Sequence, residues 1–157
     1  MSNVRFVFPK PRLNELLRAP GGLPVAEALQ RAQANLDSLK PTCVAELTAL
    51  LEMSEAGFAS MGDSPEGVED LYTIAVKGIG AGAVCGLPAV DDALTSFCDL
   101  LDHLRTLGRA DREPIAVHIQ SWRLLMEPAL GGAGAERVLD GLRKVSGRYA
   151  AEAKTAG

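Results

Sequence analysis

Two histidines, three cysteines and a glycine-rich stretch hold most of the chemistry that this 157-residue chain could perform. His118 lies in AVHIQSW between Ile115 and Trp122, on a helical seam, so it reads as a packed or half-buried histidine. His103 lies in DLLDHLRTLGR beside Asp102 and Arg105. Asp99 stands one helical turn before it, where a carboxylate can orient the ring or raise its pKa. Its charged neighbours nevertheless read as a solvated face. Cys98 and His103 are five residues apart and do not share one helix face, so no metal site is expected. Cys43, Cys85 and Cys98 form an odd set on apolar faces, which suggests reduced thiols rather than disulfides. Gly80 to Gly82 lack the Gly-Lys-Ser ending of a phosphate loop and follow no strand. With no Gly-x-Ser-x-Gly elbow and no marked carboxylate pair, the expectation is a protein without catalytic residues or cofactor, hence not an enzyme.

The stretch that organises the chain is LYTIAVKGIGAGAVCGLPAV, Leu71 to Val90. Gly78 to Ala89 carry no charge, whereas a water-exposed helix face normally carries Lys or Glu. Two apolar stripes run through it at helical spacing: Leu71, Ala75, Gly78, Gly82 and Cys85, and separately Tyr72, Val76, Ile79 and Ala83. If the first faces a bundle core, the second faces solvent or a partner. Glycine costs ~1 kcal/mol in a helix relative to alanine. Gly78, Gly80 and Gly82 therefore imply offsetting tertiary packing or a closely approaching surface, and Gly80 is assigned to the latter.

This stretch resembles the histidine phosphotransfer (HPt) helix, which reads roughly Ala-His-x-Leu-Lys-Gly-x-x-x-x-x-Gly-Leu. Ala75, Gly80, Gly86 and Leu87 fall on matching positions, with Val76 in place of the phosphorylated His and Ile79 in place of the supporting Lys. A second register puts Lys77 and Gly78 on the Lys-Gly pair and Ile74 in place of the His. In both, the phosphorylatable imidazole is missing. The resemblance implies a bundle that docks a response-regulator receiver domain or a histidine kinase without phosphotransfer. The partner-binding residues are then Tyr72, Val76, Lys77, Ile79, Gly80 and Ala83. Over a longer span, PGGLPVAEALQRAQANLDSL, LYTIAVKGIGAGAVCGL, FCDLLDHL, AVHIQSWRLL and VLDGLRKVSGRYA are similar to an alphaproteobacterial chemotaxis family called CheE. That similarity implies a chemotaxis accessory protein.

The elements that must position these residues are helical. Aromatic residues make up only 4% and β-branched runs are few, which favours an Ala/Leu-rich helical protein. Residues 1–23 read as a basic arm, either docking an acidic partner or strapped onto its own bundle. A helix from Pro24 to Leu39 has the seam Val25, Leu29, Ala32, Leu36 and Leu39, and Pro41 is expected to break it and open the next. That second helix carries Val44, Leu47, Leu51 and Phe58. Asp63, Ser64, Pro65 and Glu66 signal the start of a central helix that Gly86 closes. Val90, Leu94, Phe97, Leu101 and Leu104 keep heptad spacing, Gly108 stops that helix, and Asp111 caps one with the seam Ile115, Ile119, Trp122 and Met126. After a flexible joint at Gly131, Gly132 and Gly134, a last helix over residues 135–151 shows Val138, Leu142, Val145 and Tyr149.

The expected fold is all-α, an up-and-down four-helix bundle within 24–127 containing the HPt-like hairpin at 65–107. The arm and the joint with C-terminal helix (128–157) are added at its ends. A net charge of −4 argues against nucleic acid, and no segment reaches the ~20 apolar residues that span a bilayer. The start lacks a signal-peptide core, so a cytoplasmic protein is expected. Two alternatives to the docking module stand: an active phosphorelay protein using His103 or His118, and a structural homodimer burying the central helix.

Overall fold

The computed structural model describes residues 21–62 and 65–156. They form six α-helices and one 3-10 turn, with no strand among the described residues: α1 (Val25–Ser60), α2 (Pro65–Gly78), α3 (Ala81–Cys85), α4 (Pro88–Leu107), α5 (Arg112–Leu125), the turn Pro128–Leu130, and α6 (Gly131–Ala156). The chain divides into Met1–Asn35 and Leu36–Gly157. In the first unit, residues 21–35 are exposed apart from a half-buried Glu27, which accepts an i,i+4 ion pair from Arg31 at 2.6 Å. The expected arm falls mostly on residues 1–20, outside the described residues, as do Asp63 and Ser64 of the helix-start signal.

Two expectations for α1 are corrected. Pro41 does not break the chain, which stays helical from Val25 to Ser60 with the proline inside. Proline removes one backbone hydrogen bond there, and the helix continues on both sides of the gap. The seam Val25, Leu29, Ala32, Leu36 and Leu39 is exposed instead of packed. Burial begins at Leu47 and continues through Leu50, Leu51 and Ser54, with Phe58 half-buried and Val44 outside.

The core of the second unit is built on α4. Val90, Leu94, Phe97, Leu101 and Leu104 are all buried, as the heptad spacing predicts, and Leu100 and Cys98 widen the buried face. Gly108 ends the helix at φ +62°, and the Arg109 amide bonds back to the Leu104 carbonyl at 3.0 Å. From α5, Ile115, Ile119 and Trp122 enter the same core as expected, with Met126 half-buried. Asp111 precedes α5 but makes no side-chain cap. Its carboxylate is taken by Arg109 and by the Tyr149 hydroxyl, which donates at 2.9 Å. Burial and that acceptor push the Tyr149 phenol up to about 12.

The C-terminal helix is longer than expected and more central. α6 begins at Gly131, so Gly132 and Gly134 are helical and not a joint. Leu139, Leu142 and Ser146 are its buried positions, and Val138, Val145 and Tyr149 flank them half-buried. The shift is physical: a period of 3.6 residues leaves a stripe free to rotate by a position, and α4 is packed by the buried one. Arg137, Arg143, Lys144 and Arg148 lie exposed off that seam, as predicted.

Candidate partner-docking face

The central stretch is two helices rather than one. α2 ends at Gly78, Gly80 adopts φ +92°, and the short α3 runs from Ala81 to a left-handed Gly86 at φ +83°. A left-handed residue breaks a right-handed helix and is nearly free of strain only as glycine. What closes the break is Asp91, from the first turn of α4. Its Oδ1 accepts the Gly80 and Gly82 amides at 3.0 and 2.9 Å, and its Oδ2 accepts the Ala83 amide at 2.7 Å. One carboxylate thus holds the turn and the start of α3.

The glycines divide by cause. A Cβ on Gly82 would stand 2.6 Å from the Leu87 carbonyl oxygen and 2.8 Å from Asp91 Oδ1. A Cβ on Gly78 would stand 2.9 Å from Leu94 Cδ1. Gly80 meets nothing within 4 Å, so its role is the left-handed turn and not the close approach assigned to it from sequence.

The inner stripe faces the core as expected: Leu71, Ala75, Gly78 and Gly82 are buried and Cys85 is half-buried. On the other side, Val76 and Ile79 are 44% and 43% exposed, and Lys77, Gly80 and Ala83 are exposed too. Tyr72 is half-buried, with the Arg105 guanidinium 5.5 Å from its ring centre and Arg105 Nε 3.0 Å from Glu69. The helical register expected to join all four apolar residues stops at Ile79. Ala83 belongs to α3, beyond the left-handed turn, so Tyr72 and Val76 form the helix-borne part of the strip and Ile79 adjoins them in the turn. No sequence signal singled out Asp91 as the residue that fixes the edge of this face; it reads only as a first-turn acid of α4.

Neither histidine lies on this face. His118, on α5, is 1% exposed. Its Nδ1 donates to the Pro114 carbonyl at 2.8 Å, which can only accept, so Nε2 carries the lone pair. Ser96 and Ser146 place their hydroxyls 3.2 and 3.3 Å from Nε2, and the Phe97 ring stacks on the imidazole with centroids 5.6 Å apart. This confirms the packed histidine expected from its seam position. His103 is half-buried and lines a cavity of about 410 Å³ with Asp99, without an ion pair to it among the described residues. The cysteines are free thiols; burial pushes Cys98 up to about 11 and raises Cys85 as well. No group of residues suited to a metal ion occurs among the described residues, and no described helix is long and apolar enough to cross a membrane.

Burial lowers the His118 pKa from 6.5, against a smaller opposing effect of the Pro114 hydrogen bond. The unfolded chain therefore binds a proton that the folded chain refuses. His118 costs no stability above pH 6.5, and stability falls as pH drops through 6.5 toward the folded value. The slope from this one group is at most about 1.4 kcal/mol per pH unit. Melting curves of the wild type and His118→Gln should converge as pH falls; parallel curves would show that His118 titrates alike in both states.

No protein-family model matches the chain, and no curated protein matches it in sequence.

Proposed function

We propose that this protein is an HPt-like four-helix bundle of two-component or chemotaxis signalling with a non-catalytic docking face. In this reading it binds a response-regulator receiver domain, or the histidine kinase that serves it, and passes no phosphoryl group. The observation that carries the reading is Val76: it occupies the histidine position of the HPt pattern and stands 44% exposed on α2. With Ile79 beside it and Tyr72 at its edge, it offers apolar area that water does not favour and a helix-packing partner would cover. Valine has no nucleophile, so the same face that would present a phosphorylated imidazole can bind but cannot transfer. The phosphorelay alternative has less support, because His118 is sealed in the core and His103 sits in a cavity away from this face. The reading implies a cytoplasmic protein with neither nucleic-acid nor membrane contact.

Val76→Glu is the test, measured against a panel of receiver domains and kinases with a thermal melt alongside. An exposed helical position tolerates the change within about 0.5 kcal/mol. Docking would instead desolvate an unpaired carboxylate, so binding should be lost. A variant that folds and binds as well as the wild type would refute the docking face. If the wild type binds no receiver or kinase and is a dimer that Val76→Glu dissociates, the homodimer reading replaces this one.

A further inference from the structure

We propose that Ser96 is a nucleophilic hydroxyl at the floor of the cavity between α4 and α6, set to accept an acyl group from a small neutral or cationic ester. The groups run in the order that such chemistry needs. The Pro114 carbonyl fixes His118 Nδ1–H at 2.8 Å, and Nε2 faces Ser96 Oγ at 3.2 Å. Ser96 in turn lines the cavity of about 410 Å³. A hydroxyl beside a basic imidazole whose far nitrogen is held by an acceptor is the arrangement that activates serine. Ser146 donates its own hydrogen to the Ser96 carbonyl at 3.1 Å, so the Ser96 proton has two acceptors in reach, Nε2 at 3.2 Å and the Ser146 oxygen at 2.8 Å. Stacking on Phe97 holds the ring in place. Burial lowers the His118 pKa, so Nε2 is unprotonated at neutral pH.

The lining selects the electrophile. Asp92 and Asp99 line the cavity, and their negative charge disfavours anionic substrates. Ser96 lies inside α4, where backbone amides are already bonded within the helix, so no backbone oxyanion hole is at hand. Arg143 lines the cavity and donates one guanidinium N–H to Asp140 at 2.7 Å; a guanidinium has five such donors, and the others can meet a developing oxyanion. In the step itself, Oγ bonds to the ester carbonyl carbon and its proton passes to His118 Nε2. The bond from carbonyl carbon to alcohol oxygen then breaks, and the alcohol leaves with that proton. The product is a Ser96 ester, which water cleaves by the same route to release the carboxylic acid. This cavity is separate from the α2 face, so the inference holds or fails independently of the docking reading.

The probes are p-nitrophenyl acetate and an uncharged fluorophosphonate, with the modified peptide mapped by mass spectrometry on the full chain. One adduct per chain on Ser96 is expected, absent in Ser96→Ala and formed at least ~100-fold more slowly in folded His118→Gln. Arg143→Leu changes an exposed position, so it should keep the wild-type melt and slow nitrophenol release at least tenfold, about 1.4 kcal/mol. If the two core variants do not fold, the mapped wild-type adduct and Arg143→Leu decide. No adduct, an adduct on another residue, or an unchanged rate in Arg143→Leu would overturn the proposal.

Discussion

Leu101→Ala is expected to lower the unfolding free energy by ~2–5 kcal/mol, because the truncation opens a cavity and also forfeits the burial of the removed methyl groups. Leu101 has no exposed surface and stands mid-way along α4, the helix against which α2, α5 and α6 all pack. Rigid elements on several sides limit collapse into the gap, which places the expectation in the upper part of the range. Leu101→Met, which nearly keeps the volume, should cost under about 1.5 kcal/mol. Urea unfolding of both variants checks the pair. A destabilisation below about 1 kcal/mol for the alanine variant, outside that range, would mean that α4 does not form the centre of the core.

Asp91→Ala is expected to cost ~2–4 kcal/mol, since hydrogen bonds to a charged group contribute about 1.5–3 kcal/mol each when solvent does not replace them. Three amides lose their acceptor together. Water can take over at the exposed Gly80 and Ala83, but Gly82 is buried, which is why the sum stays well below three full bonds. Asp91→Asn keeps an acceptor oxygen and should lose less. Because the carboxylate also fixes where Ile79 and Ala83 point, the variant should weaken partner binding more than its stability loss explains. Hydrogen exchange at the Gly82 amide gives the direct measure: protection unchanged in Asp91→Ala would mean that the carboxylate does not hold the turn.

The parts of this fold that were legible from sequence are those where pattern and partner coincide. The heptad of α4 and the Ile115, Ile119, Trp122 seam of α5 are continuous apolar stripes, and both are buried. The stripe from Val25 to Leu39 is equally regular and is exposed. Periodicity reports an amphipathic helix; it does not report whether anything covers the apolar side. Pro41 misleads for a similar reason, as a proline penalty is local and can be absorbed by a helix stabilised elsewhere. At the candidate site, the exposure of Val76 and Ile79 follows from the two-stripe pattern. The left-handed Gly80 does not, because its cause lies in a carboxylate eleven residues away. Ser96 and Ser146 were invisible for the same reason: small polar residues among apolar ones carry no signal until the fold brings them together and a third helix sets His118 beside them.

The end of α1 shows what such distant pairings do to folding as a whole. Arg112, at the start of α5, donates to the carbonyls of Met61 and Phe58, the latter at 3.1 Å, while its guanidinium lies 4.4 Å from the centre of the Phe58 ring. The carbonyls that a helix normally leaves to a nearby glycine or to water are closed here by a side chain 51 residues further on. The end of α1 therefore gains these bonds only once α5 has docked, and loses them when α5 leaves. Two segments far apart in the chain are made into one cooperative unit. Partial unfolding that starts at either should run through both.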